Sequence, residues 1–384
     1  MSDERILAIT VPKWGMAMEE GTVTAWHVEE GARVAEGDEV ADVESTKIAN
    51  AIEAKRAGVL RRRVADVGRT LPVGALLGVI APEDVPDDEI ESFVSGFTVE
   101  AAEAEGGPAG PQAQVVEAGG RAIRYLVEGE GGTPVLLIHG FGGDLNAWMF
   151  NQPALAAKRA VYALDLPGHG GSAKDVGEGD VAVLADAVVA FMDAAGIDKA
   201  HLVGHSLGGA VALHIAIGHA GRAASLTLIS PAGLGPEIDG GYISGFVAAQ
   251  RRKEMKPLVE KLFADPGLVT RQMVEEILKS KRIDGVDAAL DRIAAANFAG
   301  GRQAMQDAGR LDALAVRAQV IWGAEDAIIP AAHANRLPGA CVHVLDAVGH
   351  MAMMEAAAQV NDLIEAFVEF PSPLEGEPPD LIRG

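Results

Sequence analysis

The chain has 384 residues, of which 49% are hydrophobic, 23% charged and only 4% aromatic, so it has room for more than one domain and an aliphatic core. With 32 Lys+Arg against 55 Asp+Glu its formal charge is -23. Nucleic-acid binding and adhesion to an anionic membrane are excluded on that balance, because phosphates would be repelled. At the N-terminus Asp3 and Glu4 precede a short apolar run that stops at Pro12. A signal peptide needs the opposite charge and a longer run, and no apolar stretch approaches a membrane span, so a soluble, cytoplasmic protein is expected. The single cysteine, Cys341, rules out an internal disulfide and multi-cysteine zinc sites. Flanked by Ala340 and Val342, it is expected to be a buried, inert thiol in a strand, and no metal site is expected.

Residues 1–82 contain an internal repeat. Gly21, Gly31 and Gly37 recur 37 positions later as Gly58, Gly68 and Gly74, and Val34, Val40 and Val43 recur as Leu71, Leu77 and Ile80. Two copies of short strands punctuated by turn glycines predict a small pseudo-symmetric all-β sandwich. Between the copies strand character lapses over Glu44–Asn50, which predicts a hairpin tip carrying Lys47. With PKWGMAMEEG (12–21) and the tip ESTKIA (44–49), this segment resembles the lipoyl domains of 2-oxoacid and acetoin dehydrogenase complexes. The resemblance implies lipoic acid in amide linkage on Lys47. The sister biotinyl family places Met on both sides of its lysine, whereas the neighbours here are Thr46 and Ile48. Thr46 also departs from the Asp found before the lysine in many lipoyl domains.

Residues 83–111 hold nine acids and no Lys or Arg, and end in GGPAGP, which predicts an acidic flexible linker. Within it Ile90, Phe93, Val94 and Phe97 have helical spacing. They are expected to lie on the neighbouring domain rather than to form a partner-docking helix.

From 112 to 370 the pattern alternates strand and helix. Buried parallel strands are predicted at Val135–Ile138, Ala160–Leu164, His201–Val203, Ser225–Ile229, Val320–Trp322 and Val342–Leu345, with helices at Val181–Ala195 and Ala210–His219. One strand runs into Gly204-His-Ser-Leu-Gly208, a G-x-S-x-G turn that exposes a serine hydroxyl between strand and helix. The pattern alone is weak. An orienting acid and a base are expected later in the chain, just past strand ends. Asp326 and His350 stand there, with Glu325 as a second choice of acid. Ser206 is therefore read as nucleophile, His350 as general acid/base and Asp326 as its orienter. His139–Gly143 follows a strand, so the N–H groups of Phe141 and Leu207 are expected to form an oxyanion hole. Together with Asp165–Ser172 these segments resemble the α/β-hydrolase superfamily. His169 with Asp165 is read as loop scaffold, and His205, His214 and His219 as packing or surface residues. Met351, Met353 and Met354 are read equally as pocket lining or core helix. Residues 236–311 are predicted to form a helical cap. Its Arg251, Arg252, Lys253, Lys256 and Lys261 are read first as a solvated helix face and second as contacts for coenzyme A phosphates. Residues 371–384 are expected to be a disordered tail.

The fold class expected is thus a lipoyl-type sandwich followed by an α/β-hydrolase fold with a helical cap. The pairing resembles the acetyltransferase components of acetoin dehydrogenase complexes. That resemblance implies transfer of acetyl from dihydrolipoyl-Lys47 to coenzyme A. It also implies two partners, a thiamine-diphosphate-dependent acetoin-cleaving enzyme and the flavoprotein dihydrolipoyl dehydrogenase. The H-x-x-x-D-G motif of ordinary 2-oxoacid acyltransferases is missing. The rival readings are a serine hydrolase (an esterase or a C–C bond hydrolase) carrying a lipoyl arm, and a carrier with no chemistry of its own. Homo-oligomerisation is left open.

Overall fold

The chain divides into two units, Met1–Gly110 and Pro111–Gly384. The computed structural model describes residues 5–11, 20–35, 37–44, 49–97, 112–219, 221–304, 307, 310, 314 and 316–369. The tail 371–384 and the second half of the acidic segment lie outside them.

Among the described residues the first unit has strands β1 (Leu7–Thr10), β2 (Glu20–Trp26), β3 (Arg33–Val34), β4 (Glu39–Glu44), β5 (Ala49–Glu53), β6 (Gly58–Arg63), β7 (Thr70–Pro72) and β8 (Leu76–Ala81). They pair antiparallel in two sheets, β1-β8-β6-β3 and β5-β4-β2-β7. Ile9, Val23, Val40, Val43, Leu60 and Leu77 fill the core of this unit. The sequence repeat is a structural one. Gly31 N–H donates to Leu60 O and Gly68 N–H to Val23 O, each at 2.7 Å, and both pairs stand 37 positions apart. Both glycines have φ near +85 to +89°, where a Cβ would be strained. In the β4–β5 pair Glu44 faces Ala49, so residues 45–48 join the two strands. Lys47 is one of these four and lies outside the described residues.

The acidic segment is not a tether throughout. Helix α1 (Asp87–Gly96) seats Ile90 against Leu76, Val79, Ala81 and Val85, with Phe93, Val94 and Phe97 packed alongside. These apolar residues therefore do lie on the neighbouring domain, as a helix. Four of the acids that suggested a free linker are paired across the unit: Glu83 with Arg33, Asp84 with Arg5, Asp87 with Arg61, Glu91 with Arg62. Those arginines sit 26 to 79 positions earlier, so local composition could not show the pairing.

The second unit has strands β9 (Gln114–Ala118), β10 (Arg121–Glu128), β11 (Val135–Ile138), β12 (Val161–Leu164), β13 (Ala200–His205), β14 (Ala223–Ile229), β15 (Ala318–Gly323) and β16 (Cys341–Leu345). They form one sheet ordered β16-β15-β14-β13-β11-β12-β10-β9, parallel from β16 to β12. The antiparallel pair β9–β10 was not anticipated. Its helices are α2 (Gln152–Leu155), α3 (Val181–Ala194), α4 (Leu207–Gly218), α5 (Gly240–Ala248), α6 (Arg252–Glu260), α7 (Arg271–Lys281), α8 (Val286–Asn297), α9 (Ala352–Glu355) and α10 (Ala357–Glu369). Successive strand residues point to opposite faces. Leu136 and Ile138 thus join the core under α3 and α4, while Val135 and Leu137 join the one under α10.

Strand β16 corrects two expectations. It is an edge strand, with Val344 47% exposed, and Cys341 is exposed rather than buried, its Sγ 3.3 Å from His343 Nε2. No further strand pairs with that edge among the described residues. The cap is helical as expected, with α5–α8 between β14 and β15. Its two ends are pinned together where Glu237 bridges Arg302 and Gln303 N–H donates to Pro236 O. Because β12 and β13 lie on opposite sides of β11, the sheet's switch point falls between β11 and β13. Open α/β sheets place their sites beyond the carboxyl ends of the strands at such a point.

Candidate active site

Ser206 stands between β13 and α4, as the cap of α4, with φ 52° and ψ -118°. A non-glycine residue in this region carries strain of about 1–3 kcal/mol and persists only when its surroundings hold it. They do so closely. Ser206 N–H donates to Ile229 O on β14, and its carbonyl accepts from Gly209, Ala210 and Ala232 N–H. Gly204 and Gly208 have no room for a Cβ, since Gly204 lies against the Gly208 backbone and Gly208 against the carbonyls of Ile138 and His139. That contact brings the elbow against the β11 loop.

His350 follows β16 and Asp326 follows β15. His350 Nδ1 and Asp326 Oδ2 are 2.8 Å apart, with both side chains almost wholly buried. A carboxylate oxygen accepts, so Nδ1 carries the proton and Nε2 is left as the basic nitrogen. Asp326 also accepts from Ile328 and Ile329 N–H and from Trp322 Nε1. Burial alone would push its carboxyl up. The charge and hydrogen bond of His350, with the two backbone N–H groups, outweigh that and hold it below the ordinary carboxylate range. Glu325 is exposed, which removes the second choice of acid.

The loop after β11 is braced by two neutral histidines. His139 Nδ1–H donates to Gly140 O at 2.8 Å, and its Nε2 accepts Leu166 N–H at 3.0 Å. His169 Nδ1–H donates to Pro167 O, and its Nε2 accepts Gly142 N–H. Burial pushes both pKa values down, His169 to about 3. Asp165 accepts from Leu145 N–H, Gly171 N–H and Arg124, so His169 and Asp165 are the scaffold expected of them. Phe141 packs against His169, Phe246 and Phe298, the last two from the cap. Leu207 N–H opens α4, and a first-turn N–H has no acceptor within its own helix.

His205 does more than pack. Its Nε2–H donates to His350 O at 3.0 Å, the ring centroids are 4.7 Å apart, and burial pushes its pKa to about 3. His214 pairs with Asp307 and His219 with Asp186, both away from the serine. Met353 is core, while Met351 and Met354 are partly buried against both core clusters. Of the cap cations, Lys256 pairs with Glu260 and Lys261 with Asp239, whereas Arg251, Arg252 and Lys253 are exposed. Sequence reasoning missed Glu355, whose carboxylate accepts Gly349 N–H next to His350. Only an acid five positions past the histidine marks it in the sequence.

Residues 133–357 match the family described as α/β hydrolase fold, and residues 7–80 match the biotin–lipoyl family described as biotin-requiring enzyme. The chain is 52% identical to the dihydrolipoyllysine-residue acetyltransferase component of the acetoin cleaving system of Pseudomonas putida, over 95% of this chain and 99% of that one. It is 48% identical to the protein of the same name from Cupriavidus necator, over 94% and 96%. Among solved structures it is similar to a meta-cleavage product hydrolase from Pseudomonas fluorescens IP01. The TM-score there is 0.61 with 26% identity, over 66% of this chain and 96% of that one.

Proposed function

The chain belongs to the acetyltransferase components of acetoin cleaving systems, built from a lipoyl-type unit and an α/β-hydrolase-fold unit, and from that premise we propose that Ser206, His350 and Asp326 are its catalytic triad. The observation that carries this reading is Asp326 holding His350 in its Nδ1–H form beside the strained serine turn.

Residues 45–48 join two paired strands, a position suited to a swinging arm, and Lys47 is the lysine among them. The lipoyl group, in amide linkage on Lys47, supplies a thiol that carries acetyl as a thioester. Ser206 Oγ attacks the thioester carbonyl as His350 Nε2 takes its proton. Phe141 and Leu207 N–H face the developing oxyanion, and losing such a donor typically costs about 3 kcal/mol. His350 protonates the leaving thiol, then takes the proton of the coenzyme A thiol as its sulfur attacks the acyl-serine. Ser206 Oγ leaves and recovers the proton from His350. Asp326, held below the ordinary carboxylate range, stays ionised and stabilises the imidazolium.

In this reading the protein works in the cytoplasm with a thiamine-diphosphate-dependent acetoin-cleaving enzyme and dihydrolipoyl dehydrogenase. No helix among the described residues is long and apolar enough to cross a membrane. Hydrolysis is the second reading, favoured by the likeness to a meta-cleavage product hydrolase.

The test supplies the acetylated lipoyl protein and coenzyme A, and quantifies acetyl-coenzyme A against acetate. Acetyl-coenzyme A should dominate, and Ser206→Ala should lower turnover by at least a thousandfold. Acetate as the main product would make the protein a hydrolase. No turnover in either protein would leave it a carrier, and unchanged turnover in the variant would remove Ser206 from the chemistry.

A further inference from the structure

We infer that Glu355 is a positioning residue that locks the cap to the His350 loop, and thereby decides whether the acyl-serine is taken by the acceptor thiol or by water; the inference rests on the transferase reading. The two carboxylate oxygens hold different segments. Oε1 accepts Gly349 N–H at 2.9 Å, and Oε2 accepts Ala264 N–H at 2.8 Å. Gly349 immediately precedes His350, while Ala264 lies in the cap between α6 and α7. A second bond runs the same way, from Met351 N–H to Leu262 O at 3.1 Å. The cap therefore grips the chain on both sides of His350. The backbones touch directly, because a Cβ on Gly349 would fall 2.6 Å from Ala264 N and 2.9 Å from Leu262 O. His205 holds the same loop from the elbow side, through His350 O.

A cap that lifts must break these bonds together, so cap seating and His350 placement are one event. The acyl-serine waits between two displacements, and during that wait water competes with the acceptor thiol. In hydrolysis a water oxygen bonds to the acyl carbon, its proton passes through His350 to Ser206 Oγ, and the serine–acyl bond breaks. Water needs only a gap and a working His350, whereas the thiol needs a bound acceptor. A clamp that keeps the cap seated excludes water during the wait. A carboxylate suits the position because it presents two acceptors to two N–H donors and no donor of its own.

Acetyl-coenzyme A and acetate would be measured for the full chain, Glu355→Ala and Glu355→Gln, together with amide exchange at Ala264 and Gly349. Glu355→Ala should move the product ratio about tenfold toward acetate and speed exchange at both amides. Glu355→Gln is isosteric, keeps one acceptor and sets an NH2 group against the other donor, so it should shift both in the same direction by less. It carries the test if the alanine variant does not fold. A ratio and exchange unchanged in the variants would overturn the clamp. If the unaltered chain yields only acetate, the transferase reading fails separately. The clamp then stands on faster exchange with a slower acetate-forming kcat, and falls if neither moves.

Discussion

The side chains around Ser206 are arranged so that charge appears only where a proton has to move. His169 and His205 are buried with pKa values near 3, and backbone groups hold both ring nitrogens of His169 and Nε2 of His205. A cationic His205 would oppose the imidazolium that His350 must become. Neutrality has a consequence for stability. The unfolded chain protonates these two histidines near pH 6.5 and the folded chain only near 3, so between those values the unfolded state binds more protons. Stability is then full above about pH 6.5 and falls as pH drops toward 3. At pH 5.5 each group removes stability on the order of 1 kcal/mol. Thermal melts of the full chain from pH 7.5 to 5 should show the second unit's Tm falling, with uptake of about two protons from this pair. A flat profile would mean that these histidines are not held neutral.

Secondary elements were legible where their cause is local. Strands β11 to β15 were found within a few residues because each is a short apolar run between breakers, and α3 and α4 because their apolar residues recur at helical spacing. The glycines of the elbow were legible as a motif, yet their reason is tertiary: Gly208 lies against carbonyls of a loop some 70 positions earlier. Strands β9 and β10 were missed because their alternation is half polar, with Arg121 and Arg124 on the same strand as Ile123 and Leu126. The acidic stretch was read as a flexible linker because acids repel, but α1 packs Ile90 on the first unit, and Arg61 and Arg62 of β6 meet its Asp87 and Glu91. Ile90, fully buried at the centre of that contact, makes the point testable. Ile90→Ala should cost about 2–5 kcal/mol and lower the melting transition of the first unit while sparing that of the second. An unchanged first transition would reduce α1 to a bystander.

At the scale of the whole molecule, net charge sets the terms on which a polyanionic acceptor arrives. A formal charge of -23 repels coenzyme A over a Debye length of about 30 Å at 0.01 M salt and about 8 Å at 0.15 M. Under the proposed function, KM for coenzyme A should fall several-fold between those concentrations, while KM for uncharged pantetheine stays constant. A KM that rises with salt would instead place the phosphates on Arg251, Arg252 and Lys253, the cap cations left exposed beside the paired Lys256 and Lys261.

Sequence alone determined the kinds of element, the division into an all-β unit and an α/β unit, and the candidates Ser206, Asp326, His350 and Lys47, because periodicity, turn glycines and short motifs are local properties of the chain. Tertiary structure decided which groups act on one another. It paired Asp326 with His350, held His139, His169 and His205 neutral by burial, exposed Cys341 on a sheet edge, and joined the cap to the histidine loop through Glu355. Each of these depends on distance between residues far apart in the chain, and burial, hydrogen bonding and charge all act through distance.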